Sequence, residues 1–256
     1  MSEQVVVVGL GEVGLPLLEL IQTRFDAVAV DLAPPAPSAH RTSVLHVCYP
    51  FEIDDFVGET ARYIGVFEPR LTIINSTVAV GTTRAVHERT GAAIVNSPVR
   101  GKHDRMLEDL HTYTKFVGGI DQTSASQACE HFESLGLRTR VLSAPEATEI
   151  AKLAETTYFG LMIAWAQEVE RYCDRGSQDY DEVVSFYEEI PFFPPVKYFP
   201  GVIGGHCVMP NIEILRQLED SPLLDIIEWS NMQKIERESA ESASRRQAAG
   251  ADRPNG

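Results

Sequence analysis

Apolar residues fall into short continuous runs in the first half of the chain and into helical spacing in the second. Residues 5–8 are four consecutive valines, the pattern of a parallel strand buried on both faces. Further strands are predicted at 27–30, 44–48, 71–75, 92–95, 116–117 and 139–142. Helices are predicted between them: one with Val13, Leu17, Leu18 and Ile21 on its apolar side, and others at 54–64, through Arg89, and at 124–135. Such alternation of strand and helix builds a doubly wound sheet. Residues 32–42 are rich in Pro and Ala without periodicity, so the sheet is expected to be abbreviated there.

The second half starts with Ser143-Ala-Pro145-Glu146, a capping box with proline at the first helical position. The helix it opens meets no Gly or Pro until Gly160 and is expected to continue to about Arg175. At 1.5 Å per residue that is on the order of 45 Å, so the helix should bridge two domains or pack against its own copy in a homodimer through 145–175. Its apolar positions, Ile150, Leu153, Leu161, Ile163, Trp165 and Val169, leave Lys152 and Thr156 one turn apart on a shared face. Another helix is predicted at 179–190. Pro191, Pro194 and Pro195 then forbid regular structure. Ser221-Pro222 caps a last helix at 223–235, and the polar stretch after it reads as frayed. The organisation predicted is α/β: an N-terminal domain over 1–142, a small all-α domain over 143–236 that includes the long connecting helix, and a disordered tail over 237–256.

Candidate chemistry begins where the first strand ends. It runs directly into Gly9-Leu-Gly11-Glu12-Val13-Gly14 and then a helix and a second strand closing at Asp31. The order strand, turn, helix, strand makes this glycine pattern a dinucleotide site of the Rossmann type. Gly9 makes the tight turn, Gly11 lets a pyrophosphate approach the helix N-terminus, and Gly14 lets helix and strand pack closely. Asp31 is placed to accept hydrogen bonds from a ribose hydroxyl and would repel a 2′-phosphate, so NAD is preferred over NADP. Glu12 and Val13 complete the turn. Tyr49 ends the strand at 44–48 where a nicotinamide should lie, and Ser76 and Thr77 follow the strand at 71–75. Those hydroxyls either cap the next helix or face a ligand. Arg100 and Lys102, on the loop after Asn96-Ser97-Pro98-Val99, either meet an anionic substrate group or are solvated.

The segment Phe199-Pro-Gly-Val-Ile-Gly204-Gly-His206-Cys207-Val-Met-Pro-Asn211 sets one thiol in a glycine-rich loop. Pro210 fixes φ as the chain enters an apolar run, so Cys207 should lie just before a helix N-terminus. Peptide N–H groups and the helix dipole there favour a thiolate. A small buried hydrophobe behind a turn is the alternative. The four cysteines, Cys48, Cys129, Cys173 and Cys207, form no C-x-x-C pair, so reduced thiols are expected rather than disulfides, and no metal site. A net charge of −15 over 256 residues argues against nucleic acid or an anionic membrane as partner. No apolar run reaches the roughly 20 residues of a membrane span, and the start lacks the basic flank of a signal peptide. A cytoplasmic protein acting on a small molecule is the expectation.

Taken in order, the pieces resemble the UDP-glucose/GDP-mannose dehydrogenase family. The matching segments are Val8-Gly9-Leu-Gly11-Glu-Val-Gly14-Leu-Pro16, Asn75-Ser76-Thr77-Val-Ala-Val-Gly81-Thr82-Thr83, Val117-Gly118-Gly119, Glu149-Ile-Ala-Lys152-Leu-Ala-Glu155-Thr156 and Pro200-Gly201-Val-Ile-Gly204-Gly205-His206-Cys207. The resemblance implies oxidation of a primary alcohol or aldehyde to a carboxylate with NAD. Cys207 would attack the aldehyde to give a thiohemiacetal and then a thioester that water hydrolyses. Lys152 would stabilise the oxyanion or assist proton transfer, Thr77 would help position water, and Thr156 and Asn211 would complete the catalytic set. Gly204, His206, Arg100 and Lys102 would meet substrate.

Departures from the family pattern set limits. Val99 stands where the family has Glu, Thr156 where it has Asn, and Asn211 where it has Asp. The chain reads as a shortened form lacking the C-terminal UDP-binding domain, which implies a substrate other than a standard UDP-sugar. Two other functions stay open: a two-electron dehydrogenase of the β-hydroxyacid type, and a non-catalytic NAD-binding dimer.

Overall fold

The computed structural model describes residues 3–31, 40–101, 105–187, 189–190, 199–204 and 208–251, with side chains only as far as 243. Two compact units divide after Leu153. Unit 1 holds one seven-stranded sheet in the order β2-β1-β3-β4-β5-β6-β7. Its strands are β1 (Glu3–Val8), β2 (Ala27–Val30), β3 (Arg41–Val47), β4 (Leu71–Ile74), β5 (Ile94–Asn96), β6 (Lys115–Gly119) and β7 (Thr139–Leu142). β1 to β5 run parallel. The valines of β1 are buried on both sides as their continuity predicts: Val5 and Val7 enter one core, Val6 and Val8 the other.

The first core is covered by α1 (Gly14–Gln22), α4 (Met106–Thr112) and α5 (Gln122–Ser134), through Leu17, Ile21, Met106, Leu110, Ala128 and Phe132. The second is covered by α2 (Phe56–Phe67) and α3 (Thr82–Thr90), through Phe56, Tyr63, Ile64, Phe67 and Val86. Helices on both faces of a mostly parallel sheet confirm the doubly wound architecture.

Several local expectations change. Arg41 and Thr42 belong to β3 rather than to the loop before it, because Thr42 is buried and its hydroxyl takes the side-chain amide of Gln4 at 3.5 Å. Residues 32–39 of that loop lie outside the described residues. The helix α4 was not foreseen. β6 is longer than residues 116–117 and runs antiparallel to β5, with β7 parallel to β6. A run of apolar residues encodes burial but not strand direction, which is why the pattern missed this reversal.

The helix α6 (Pro145–Gly176) has the length the capping box and the missing breakers predict. The expected division at 142/143 falls at its N-terminus, whereas unit 1 keeps its first turns, anchored by Thr148 and Glu149, each 1% exposed. Unit 2 comprises the rest of α6 with α7 (Tyr180–Ser185), α8 (Met209–Arg216) and α9 (Pro222–Ala251). Its core gathers Ala164, Ile203, Val208, Ile212, Leu224 and Ile227. Gly160 is the break in helix propensity that packing requires: a Cβ there would lie 2.5 Å from Val208 Cγ1.

α7 is shorter than the predicted 179–190. α9 continues to Ala251, where a disordered tail was expected from 237. Composition misled there, because Ala, Glu and Arg are also strong helix formers. Ion pairs tie the segment down: Lys234 Nζ lies 2.7 Å from Glu170 Oε2, and Arg237 bonds Asp174 of α6 and Glu241 one turn ahead. Residues 252–256 lie outside the described residues. Among the described residues no helix is long and apolar enough to cross a membrane.

Candidate functional site

The carboxyl ends of β1 to β5 converge on one edge of the sheet. Val8 is paired with Val30 on one side and Val47 on the other, and Ile74 with Val47 and Asn96. Gly9 therefore leaves the sheet beside Asp31, and its N–H donates to Val30 O at 2.9 Å. Gly9 has φ +88°, and a Cβ there would meet Tyr49 N at 2.6 Å. A Cβ on Gly14 would fall 1.7 Å from Gly9 O and 3.3 Å from Cys48 Cβ, so the glycine fits the first turn of α1 against the strand end. Gly11 differs, because a Cβ there would meet no atom within 4 Å. Its glycine answers to no contact among the described residues, and the space in front of it is clear of them. Glu12 is exposed and Val13 packs on the first core. Asp31 is exposed at the end of β2.

The neighbouring loops are pinned rather than loose. Tyr49 is buried, and its hydroxyl meets Thr60 Oγ1 at 2.5 Å; Thr60 donates its own proton to Phe56 O, which makes Tyr49 the donor. Burial pushes the Tyr49 phenol above its ordinary range. Ser76 donates to Tyr49 O at 2.6 Å, so its hydroxyl braces the two strand ends and neither caps α3 nor projects outward. Thr77, next to it, is partly exposed. The cap of α3 comes from a residue that the sequence reading did not single out. Glu149 of α6 accepts from Gly81 N (2.7 Å), Thr83 N (3.0 Å) and Thr83 Oγ1 (2.7 Å). Burial raises the Glu149 pKa, against the three donors that hold its charged form. The hydroxyls of the Ser76 to Thr83 segment are thus not the cap; a carboxylate more than sixty residues away is.

Behind the same edge lies a buried polar group that sequence reasoning also missed. Lys115 of β6 is 3% exposed, donates to Ser97 O at 2.6 Å and Pro98 O at 3.3 Å, and lies over the Phe132 ring. Burial lowers its pKa to about 7, with Lys152 adding repulsion. Lys115 therefore holds the Ser97-Pro98 turn from within. Asn75 donates to Ile73 O and to His46 Nδ1, leaving His46 Nε2 to donate to His131 Nε2 at 3.0 Å. Burial keeps both imidazoles neutral, His131 at about 4. Burial also pushes the Cys48 thiol up to about 12, so it is chemically quiet.

Arg100 is partly buried, its guanidinium over Tyr113 and Phe116. Lys102, His206 and Cys207 lie outside the described residues, as does Gly205 between the loop and the thiol. Lys152 is partly buried and belongs to unit 1. In unit 2, Gly204 is exposed, and Asn211 Nδ2 donates to Thr156 Oγ1 at 2.8 Å. The two substituted positions are thus a bonded, uncharged pair. Among the described residues, no cluster of three His, Cys, Asp or Glu side chains could hold a metal.

Residues 146–237 match the central domain of the UDP-glucose/GDP-mannose dehydrogenase family. The chain is related to this family. It is 27% identical over 175 residues to UDP-N-acetyl-D-mannosamine dehydrogenase of Methanocaldococcus jannaschii, a match covering 62% of this chain and 41% of that one. The chain thus spans about two fifths of the length of that curated relative. The fold agrees with family structures: UDP-D-ManNAc dehydrogenase of Pyrococcus horikoshii superposes with TM-score 0.80 at 19% identity, over 96% of this chain and 72% of that one. The 3-hydroxyisobutyrate dehydrogenase of Mycobacterium tuberculosis shares the architecture as well, with TM-score 0.67, 17% identity and coverage of 89% and 91%.

Proposed function

We propose that the protein is an NAD-dependent dehydrogenase that oxidises a primary alcohol or aldehyde of a small molecule to the carboxylate, with Cys207 as covalent nucleophile. The observation that carries the cofactor is the contrast among the three glycines. Gly9 and Gly14 are required by the protein's own backbone, whereas Gly11 faces open space where a pyrophosphate fits at the N-terminus of α1. Asp31, exposed beside the turn, would take the ribose hydroxyls, with Glu12, Thr77 and the backbone of Val13, Tyr49 and Ser76 around the rest of the dinucleotide. NAD, when bound, supplies a hydride acceptor.

The chain's own residues would do the remainder. The Cys207 thiolate adds to the aldehyde carbon and the carbonyl oxygen takes a proton, giving a thiohemiacetal. After loss of a hydride and a proton the carbon is a thioester, and water then adds and breaks the C–S bond to free the carboxylate and the thiol. Lys152 would steady the oxygen's negative charge and Thr77 the water. Because Thr156 and Asn211 are both uncharged, neither can serve as the base. Arg100, Lys102, Gly204 and His206 would meet the substrate. A homodimer through helix 145–175 is supported by the exposed Tyr158, Trp165 and Tyr172, which recur at intervals of seven residues along α6. A cytoplasmic location fits this chemistry.

The match to 3-hydroxyisobutyrate dehydrogenase over 89% of this chain and 91% of that one favours a second reading, a two-electron oxidation without covalent catalysis. One experiment separates them. The purified chain is incubated with NAD and a panel of small alcohols and aldehydes, together with UDP-N-acetyl-D-mannosamine, the substrate in the names of several relatives. NADH per substrate and the mass of the Cys207 peptide are then recorded. Two NADH per alcohol with an acyl adduct on Cys207 support the covalent route; one NADH per alcohol, or full aldehyde oxidation by Cys207→Ala, rules it out.

A further inference from the structure

Cys48, Asn75 and Ser97 each follow directly on a strand of the sheet, β3, β4 and β5 in turn. Asn75 N donates to Val47 O and Ser97 N to Ile74 O, both at 2.8 Å, so the ladder continues one step and the three residues stand side by side. Their side chains share the face of the first core, to which Cys48 belongs and where Val95 and Val99, two residues to either side of Ser97, are buried. Asn75 and Ser97 are 1% and 0% exposed. Neighbouring strands lie about 4.8 Å apart, which leaves the two side chains facing one another across a gap too wide for a bond.

Asn75 spends both hydrogens of its amide, on His46 Nδ1 at 3.1 Å and Ile73 O at 3.2 Å. The second bond fixes which way the amide points, because exchanging its ends would turn Oδ1 against Ile73 O. Asn75 Oδ1 has no partner among the described residues, and neither has the Ser97 hydroxyl beside it. A buried acceptor and a buried hydroxyl left unbonded cost a fold more than an ordinary hydrogen bond returns. Lys115 reaches the same place from β6, donating to Ser97 O at 2.6 Å and Pro98 O at 3.3 Å. Protonated, its amine has a third hydrogen to give; neutral, it has a lone pair.

We infer that Asn75 Oδ1 and Ser97 Oγ bind one internal water molecule at the junction of β4, β5 and β6, with the Lys115 amine as its third partner. The donor set selects water over an ion. The lone pairs of Asn75 Oδ1 repel an anion, and the amines of Lys115 and Lys152, close enough to repel one another, disfavour a cation. Whatever binds must give a hydrogen to Asn75, share one with Ser97 and suit Lys115 with or without its extra proton. Water does all of this, and three bonds are what an internal water ordinarily makes. Bound there, it joins Lys115 to Asn75 and through Asn75 to His46 and His131, one hydrogen-bonded line from β6 across the sheet to α5. The site is independent of the chemistry proposed for Cys207.

To test it, the full-length protein is crystallised with sodium chloride and again with sodium bromide. The expected map shows one peak at hydrogen-bonding distance from both Asn75 Oδ1 and Ser97 Oγ, with no anomalous signal there in bromide. An anomalous peak would make it an anion site, contacts at metal-ligand distances a cation site, and either overturns the inference, as does a junction with no peak or with a protein atom in the water's place. Two substitutions read the same water in solution. Ser97→Ala removes one partner and leaves the molecule room beside Asn75 and Lys115, whereas the methyl groups of Ser97→Val take its place and strand Asn75 Oδ1. Valine buries more apolar surface, so at a dry junction Ser97→Val would melt at or above Ser97→Ala, which also overturns the inference. With the water bound, Ser97→Val melts below Ser97→Ala by roughly 2 °C or more. Where either variant fails to fold, the wild-type map decides.

Discussion

Replacing Gly11 by alanine separates a glycine kept for a ligand from one kept for the fold. A methyl group at Gly11 meets no atom of the described residues within 4 Å, and Gly11 is not among the described glycines with positive φ. The substitution therefore costs the folded state nothing and reduces the freedom of the unfolded chain, worth about 0.4–1 kcal/mol in its favour. The same methyl projects into the space assigned to the pyrophosphate, where it would deny the phosphate a charge-assisted hydrogen bond of about 1.5–3 kcal/mol, a weakening of about 10- to 150-fold.

A thermal-shift titration reads both effects. At NAD one hundredfold above Kd, wild type gains about 2.7 kcal/mol, or about 5–11 °C for a chain of this size. If affinity falls a hundredfold, the gain at the same concentration drops to about 0.4 kcal/mol and about 1 °C. Without NAD, Gly11→Ala should melt at or slightly above wild type. Gly14→Ala, whose Cβ would lie 1.7 Å from Gly9 O, should melt well below it, by about 1–3 kcal/mol or more. A Gly11→Ala protein that keeps the full NAD shift would remove the phosphate from this turn and with it the reading of the site.

Two further outcomes follow from buried groups. Glu149→Gln leaves one carbonyl where a carboxylate took three donors and turns an N–H toward one of them, so it should cost about 1–3 kcal/mol and speed hydrogen exchange at Gly81 and Thr83; unchanged exchange there would show that the cap is dispensable. Lys115, with an ordinary pKa of 10.5 lowered to about 7 in the fold, stays protonated in the unfolded chain where the folded one has released its proton. Stability attributable to it is therefore lowest below pH 7 and rises with a slope approaching about 1.4 kcal/mol per pH unit between the two values. The Cys48 thiol, raised from 9.0 to about 12, acts in the opposite sense above pH 9, so the window from pH 7 to 9 belongs to Lys115. Chemical denaturation of wild type and Lys115→Met across that window should show the rise only in wild type, and parallel curves would contradict the assignment.

What could be read from the sequence was what depends on neighbours in the chain. Four valines in succession revealed a strand with two buried faces, and their division between two cores follows from the alternation of side chains along a strand. The glycine spacing gave the turn because every contact that demands Gly9 and Gly14 is made within that turn or with the next strand end at Tyr49 and Cys48. The length of α6 was legible from its capping box and from the scarcity of breakers. Interactions between distant segments were not. Glu149 is one more acidic residue on a helix until Gly81 and Thr83 come to face it. Lys115 reads as a solvated lysine, since only the folded sheet places Ser97 O and Pro98 O against its amine. The continuation of α9 was misread for a different reason: a polar, alanine-rich stretch satisfies the compositional test for disorder and the propensity test for helix alike, and the partners that decide between them, Glu170 and Asp174, lie on α6.

Several buried polar residues share one task. Ser76 on Tyr49 O, Glu149 on the amides of Gly81 and Thr83, and Lys115 on the carbonyls of Ser97 and Pro98 each spend a buried polar side chain on backbone just beyond the carboxyl ends of β3, β4 and β5. Gln167 and Asn231 do the same for the segment before the cysteine loop in unit 2. Each could be exchanged for an apolar residue at a gain in transfer free energy, were it not that the loop it holds would then carry unpaired peptide groups. Loops held only by packing would need none of them. The selective use of buried amides, a carboxylate and a lysine amine at these edges therefore favours a protein whose strand-end loops must keep one conformation before any ligand arrives, as precise placement of a reacting carbon requires.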